Sequence, residues 1–177
     1  MPRLFTAIEI PAGIGDDLAM LRGGLPGSRW ISPENYHLTL RFIGDIDDAA
    51  ARDIASLLDG ISRAGFDLRL DGLTSFGGNK PRAIVASAAP TRALTELQAE
   101  HERLFRRMRL APDSRKFTPH VTLARLRDSS AREVAEYLAA QPYRSAPFHV
   151  SRFVLYSSRA STGGGPYVME AAYPLAG

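Results

Sequence analysis

The sequence predicts an α+β fold in a single domain over residues 1–177, built as two pseudo-symmetric lobes of largely antiparallel sheet with flanking helices. Three observations carry that prediction. Strand-like stretches outnumber helical ones, and several follow one another at hairpin spacing. The tetrapeptide HLTL at 37–40 returns as HVTL at 120–123, 83 residues later in a chain of 177. Each copy also follows a helical stretch and precedes another, so the two halves read as a distant duplication.

The elements can be justified in order. "LFTAIEI" (4–10) is a short β-prone apolar run stopped by Pro11. Ile14, Leu18 and Leu21 then recur at helical spacing until Gly23 and Gly24 end the helix. Pro33, Glu34 and Asn35 signal a turn into "YHLTLRFIG" (36–44). There Tyr36, Leu38, Leu40 and Phe42 alternate with His37, Thr39, Arg41 and Ile43, the period of a strand. Strict alternation puts Phe42 on the face opposite His37. Asp47 or Asp48 caps a helix that runs to about Leu58 and ends at Gly60.

Three strand-like pieces follow, "FDLRL" (66–70), "GLTSFG" (72–77) and "RAIVASA" (82–88). Thr91 opens the longest helix, with Leu94, Leu97, Leu104, Phe105 and Met108 on one stripe that also takes in His101. "RKFTPHVTLARL" (115–126) returns to alternation, with His120 and Thr122 on one face and Val121 and Leu123 on the other. Ser130 and Glu133 form a capping-box signature for a helix carrying Val134, Tyr137 and Leu138. "PFHVSRFVLYSS" (147–158) and "PYVMEAAYPL" (166–175) read as two strands around the glycine loop at 163–165.

Composition narrows the function classes. Cysteine is absent, which removes disulfides and thiolate chemistry and suits a reducing compartment. No apolar run approaches the roughly 20 residues of a membrane span, and Glu9 interrupts the first apolar stretch, against a signal peptide. We therefore expect a cytoplasmic protein, monomeric and without a membrane partner. The net charge of +3 suits an anionic ligand without demanding one. Neither tetrapeptide is accompanied by a cysteine, a His-x-x-x-His or closely spaced carboxylates, so neither a metal nor a cofactor is expected.

What His-x-Thr can do, it can do better twice. On a strand, positions i and i+2 point the same way, about 6–7 Å apart. Each copy thus presents an imidazole beside a hydroxyl, and a pseudo-twofold axis would set the two pairs across one cleft. Two imidazoles and two hydroxyls suit a tetrahedral phosphoryl group. The hydroxyls of Thr39 and Thr122 can hold non-bridging oxygens, and His37 and His120 can sit near the attacking and leaving oxygens. With an ordinary pKa of roughly 6.5, one imidazole can be neutral and the other charged near neutrality. A single His-x-Thr is an ordinary strand pair, but two matching copies call for a shared role. His101, on a helix, and His149, on a strand without a threonine partner, are read as structural.

With these residues on the page, the chain resembles the two-histidine phosphoesterase superfamily, whose signature is a pair of His-x-Thr/Ser-x motifs. More narrowly it is similar to the RNA 2′,3′-cyclic phosphodiesterases, historically called 2′-5′ RNA ligases. "RLFTAIEIP" (3–11), "WISPENYHLTLRFIGD" (30–45), "FTPHVTLAR" (117–125), "LYSSR" (155–159) and "YPL" (173–175) carry the resemblance along the whole chain. It implies an active site in the cleft between lobes and metal-free hydrolysis of a terminal 2′,3′-cyclic phosphate on RNA to a 2′-phosphomonoester. It implies His37 as acid and His120 as base, an assignment that pseudo-symmetry leaves open. Arg125 matches a family arginine near the phosphate, although strand alternation would turn it away from His120. Phe5, Phe42 and Tyr156 are candidate stacking partners for a base. The alternatives are RNA ligation by the reverse path, and a non-catalytic nucleotide- or RNA-binding module.

Overall fold

The computed structural model describes residues 3–113, 115–158 and 166–176; the glycine loop at 163–165 lies outside them. Its strands are β1 (Arg3–Glu9), β2 (Ser28–Trp30), β3 (His37–Asp45), β4 (Phe66–Leu68), β5 (Leu70–Phe76), β6 (Ala83–Ala88), β7 (His120–Leu126), β8 (Phe148–Val150), β9 (Arg152–Ser158) and β10 (Val168–Pro174). Its α-helices are α1 (Ala12–Ala19), α2 (Asp48–Leu58), α3 (Arg92–Arg107) and α4 (Ala131–Ala140). Side-chain caps begin three of them. Asp47 accepts from the Ala50 amide at 2.7 Å, Thr91 from that of Leu94 at 3.1 Å, and Ser130 and Glu133 close a capping box.

The main sheet is antiparallel throughout, in the order β10-β9-β1-β3-β7-β6-β5, with β2 also paired to β7. Its halves meet at one pair of residues, Leu38 of β3 opposite Val121 of β7. The chain traverses β1-α1-β3-α2-β4-β5 and then repeats the path as β6-α3-β7-α4-β8-β9. The last strand of each repeat crosses over: β5 pairs with β6 of the second repeat, and β9 pairs with β1 of the first. The predicted lobes are therefore each built from both halves. The crossing also explains two differences from the sequence reading. "FDLRL" breaks at Arg69 and "PFHVSRFVLYSS" breaks at Ser151, because β4 and β8 leave the main sheet to pair with each other.

The other differences are local. Ser28–Trp30 form a three-residue strand, β2, that the sequence reading did not mark, and residues 33–35 form a 3₁₀ turn, with the Asn35 and Tyr36 amides donating to Ser32 and Pro33 oxygens. α1 ends at Ala19, before the glycines. The second alternating strand starts only at His120, just past Pro119, which has no amide to give to a ladder.

The principal core packs Leu38, Leu40, Val121 and Leu123 with Ile54, Leu94, Leu97 and Phe105 of the helices. Arg41 is buried in it, 7% exposed, with Nε on Glu102 of α3 at 2.5 Å, a terminal nitrogen on the Ala111 carbonyl at 2.6 Å, and the guanidinium 5.5 Å from the Phe105 ring centroid. A buried pair of this kind costs on the order of 3–5 kcal/mol to break from one side, so it fixes α3 and the following loop against β3. A second, smaller cluster, Phe5, Ala7 and Val154 with Tyr156 and Tyr167, covers the other face of β1 and β9.

His101 is wholly enclosed beside Phe153, with ring centroids 4.9 Å apart, and its Nδ1 donates to the Leu97 carbonyl at 2.8 Å. Burial holds its pKa down at about 4. The unfolded chain, at roughly 6.5, therefore binds a proton that the folded chain refuses. Stability rises with pH across that window and is lost as pH falls from about 6.5 towards 4, by up to ~1.4 kcal/mol per pH unit per group. We expect denaturant-measured stability to decline on acidification over this range. His101→Asn, which can keep a donor near the Leu97 carbonyl, should remove about one proton's worth of the slope; an unchanged slope would contradict a neutral buried His101.

Candidate active site

β3 and β7 present the same burial sequence over their first six residues. His37 and Thr39 are half-buried on one face, Leu38 and Leu40 are buried on the other, Arg41 is buried as well, and Phe42 is exposed. His120 through Arg125 repeat that order residue for residue. The cause is a β-bulge at the same place in each strand. Thr39 and Arg41 oppose the successive residues Ala7 and Thr6, leaving Leu40 as the extra residue. Thr122 and Ala124 oppose Val85 and Ile84, leaving Leu123. Each bulge sends two consecutive side chains inward and reverses the alternation beyond it.

Two sequence expectations are corrected by those bulges. Phe42 is not on the face opposite His37. It is 46% exposed and lies with Phe5 at a centroid separation of 5.5 Å, while Phe5 also touches His37 at 5.0 Å. Arg125 does not turn away from His120. It pairs with Ala83, two and four residues along β6 from the partners of Thr122 and His120, Val85 and Ser87, so it stands on their face, where its charge disfavours protonation of both imidazoles. Phe42 and Arg125, each five residues after a site histidine, are pseudo-equivalent positions with opposite chemistry.

The antiparallel alignment about Leu38 and Val121 sets His37 towards Thr122 and Thr39 towards His120. Each imidazole is held by the same device, Nδ1 donating to the carbonyl two residues upstream. His37 uses Asn35 at 2.9 Å and His120 uses Thr118 at 2.6 Å. A carbonyl can only accept, so the proton of the neutral ring sits on Nδ1 and Nε2 carries the free lone pair. The Thr39 hydroxyl donates to Nε2 of His37 at 3.1 Å. Burial pushes the His37 pKa down to about 4, with the nearby His120 and Arg125 charges adding to it. His120 is also lowered, first by burial and then by Arg125.

Aromatic rings flank both imidazoles. Around His37 stand Phe5, Tyr156 at 6.1 Å and Tyr167 at 5.1 Å, the last edge-on at 85°. Phe76 of β5 meets His120 edge-on at 4.8 Å. Tyr156 and Phe76 are equivalent under the duplication, each delivered by an exchanged strand. Of the stacking candidates, Phe5 is only 2% exposed and Tyr156 half-buried, so Phe42 offers the most open ring. Sequence reading missed Tyr167 and Phe76, since alternation within one strand does not disclose which strand lies beside it. His149 is elsewhere, with Nδ1 2.9 Å from Asp67 on the β4–β8 ribbon. A cavity of about 330 Å³ adjoins the His37 side, lined in part by Glu9, Ile10, Pro33, Tyr36 and Tyr156. Among the described residues no group of three or more His, Cys, Asp or Glu could hold a metal, and no helix is long and apolar enough to cross a membrane.

Two bulged strands thus bring two imidazoles, two threonines and an arginine onto one face of one sheet, the pattern of paired His-x-Thr motifs that marks the two-histidine class. Residues 16–162 match the model of the 2′-5′ RNA ligase superfamily, and the chain belongs to that family. It is 31% identical over 157 residues to the RNA 2′,3′-cyclic phosphodiesterase of Aquifex aeolicus, covering 84% of this chain and 82% of that one. With the enzyme of the same name from Geobacillus stearothermophilus it shares 32% over 156 residues, 86% of this chain but only 49% of the relative. Among solved structures, Escherichia coli LigT complexed with 3′-AMP superposes with a TM-score of 0.80 at 27% identity, over 99% of both chains.

The electrostatics predict a titration. In the free protein both site histidines should titrate below the ordinary value of roughly 6.5, His37 near 4. Arg125→Gln removes a cation that opposes both protonations, so both pKa values should rise together. Histidine ring resonances followed by NMR would read this directly. Movement of one histidine alone would mean that Arg125 does not face the pair.

Proposed function

We propose that the protein is an RNA 2′,3′-cyclic phosphodiesterase that hydrolyses a terminal cyclic phosphate to a 2′-phosphomonoester by histidine acid–base catalysis. The observation that carries this reading is the pair of imidazoles with matched Nδ1 anchors, which leave each Nε2 as the acceptor, on one face with the hydroxyls of Thr39 and Thr122. Family membership and the activity named for the relatives support it.

Water attacks phosphorus while one imidazole takes its proton at Nε2. The P–O3′ bond breaks, and the other imidazole, protonated, gives its Nε2 proton to O3′. The product carries a 2′-phosphate and a free 3′-hydroxyl. Thr39 and Thr122 donate to the non-bridging oxygens, and the planar guanidinium of Arg125 adds charge-assisted hydrogen bonds. Thr39 releases His37 when it turns to phosphate. The resemblance favours His37 as acid and His120 as base. Because burial keeps His37 neutral in the free protein, its protonation in the complex depends on the anionic substrate, which favours imidazolium. The terminal base rests on Phe42, the most open ring of the wall that Phe5 and Tyr156 back. No metal or cofactor takes part. The 177 residues act as one catalytic domain, and one chain supplies both histidines, so a monomer suffices. A sequence without cysteine suits the cytoplasm.

Turnover of a nucleoside 2′,3′-cyclic phosphate in EDTA, with the product isomer identified, tests the reading. His37→Ala and His120→Ala should each cost on the order of 10²–10⁴ in rate with the fold intact. The double variant should cost less than the product of the singles, since the pair acts as a unit. The kcat/KM profile should be a bell centred below about 6.5, since both free-enzyme pKa values are lowered, and the kcat profile should lie at higher pH. Near wild-type turnover in either single variant, or activity lost in chelator and restored by metal, would overturn it.

A further inference from the structure

The two halves of the site face match in backbone but not in charge. On the first lobe the row across the sheet reads Phe42, Phe5, Tyr156. The equivalent row on the second reads Arg125, Ala83, Phe76. One side of the reacting phosphorus is an aromatic wall, and the other begins with a guanidinium.

The cationic side is longer by one strand. β2 lies on the β7 edge that faces β3, where it pairs Ser28 with Leu126, Arg29 with Arg125 and Trp30 with Ala124. Directly opposed residues of an antiparallel pair project from the same face, so Arg29 extends the surface that Arg125 begins. Its neighbours lock the strand. The Ile31 amide donates to the Leu123 carbonyl at 2.8 Å, Ile31 is buried, and the Trp30 ring packs on Tyr137 at 5.7 Å. Arg29 itself is exposed.

We propose that Arg29 forms a second phosphate subsite, binding the phosphodiester one nucleotide upstream of the cyclic end. The inference rests on the phosphodiesterase reading and adds what that reading lacks, a means of preferring an RNA strand over a mononucleotide. Guanidinium groups suit the role through their planar, fork-like donors. Arg125, near the imidazoles, serves the reacting phosphate. Arg29 lies one strand spacing further, about 4.8 Å, where the chain continues once the terminal base has taken the aromatic side.

The test compares two substrates. A nucleoside 2′,3′-cyclic phosphate has only the reacting phosphate; a dinucleotide ending in a 2′,3′-cyclic phosphate has one more. Arg29→Ala should lower kcat/KM on the dinucleotide about tenfold, mainly through KM, and change the mononucleotide less than about twofold. The salt dependence of log kcat/KM on the dinucleotide should flatten by about 0.7. Arg29→Lys, which keeps the charge, should recover part of the loss. Equal losses on both substrates, or no loss on the dinucleotide, would overturn the second subsite. Absence of mononucleotide turnover by the unaltered protein would overturn the phosphodiesterase reading, and this inference with it.

Discussion

One inserted residue in each of two strands, Leu40 in β3 and Leu123 in β7, is the constraint on which the site depends. Without a bulge, strict alternation would put Arg41 beside His37 and Thr39, and would turn Arg125 towards the helices. With it, Arg41 goes inward to anchor α3 through Glu102, and Phe42 and Arg125 come out onto the site. The same backbone irregularity, used in both strands, thus assigns Arg41, Phe42 and Arg125 to their faces. The inward leucines at the bulges are deeply buried, so the irregularity is held by packing on the far side of the sheet.

The exchange of final strands between the repeats complements this. β9 brings Tyr156 to His37, and β5 brings Phe76 to His120. Each imidazole is therefore enclosed by an element from the other half of the chain. That enclosure is the main reason both pKa values are lowered, and it favours rings that are neutral until an anion arrives. The same desolvation strengthens any charge-assisted hydrogen bond to a bound phosphate. Where the halves diverge, Phe42 and Phe5 of one row stand where Arg125 and Ala83 stand in the other.

Much of this was legible in the sequence. The repeated tetrapeptide disclosed the duplicated strands, the pairing of imidazole with hydroxyl and the α+β class, because a period of two is a local property. The Asp47, Thr91 and Ser130 caps were legible for the same reason. Phe42 and Arg125 were assigned the wrong face because a bulge is decided by pairing partners, β1 and β6, that lie far away in sequence. Arg69 and Ser151 were read through as strand interior, since only topology separates β4 from β5 and β8 from β9. Tyr167, Phe76 and Arg29 went unmarked because their roles come from which strand lies beside which. The motif match to the family suggested Arg125 where alternation argued against it, and the bulge reconciles the two.

The central claim is that His37 and His120 face one phosphate from opposite sides. It is tested most directly by titrating both imidazoles by NMR with and without saturating nucleoside 2′-monophosphate. A phosphate held between them favours both protonated forms, so both pKa values should rise on binding, His37 from its low starting point near 4. A rise at one histidine alone, or at neither while the nucleotide is bound, would contradict the account.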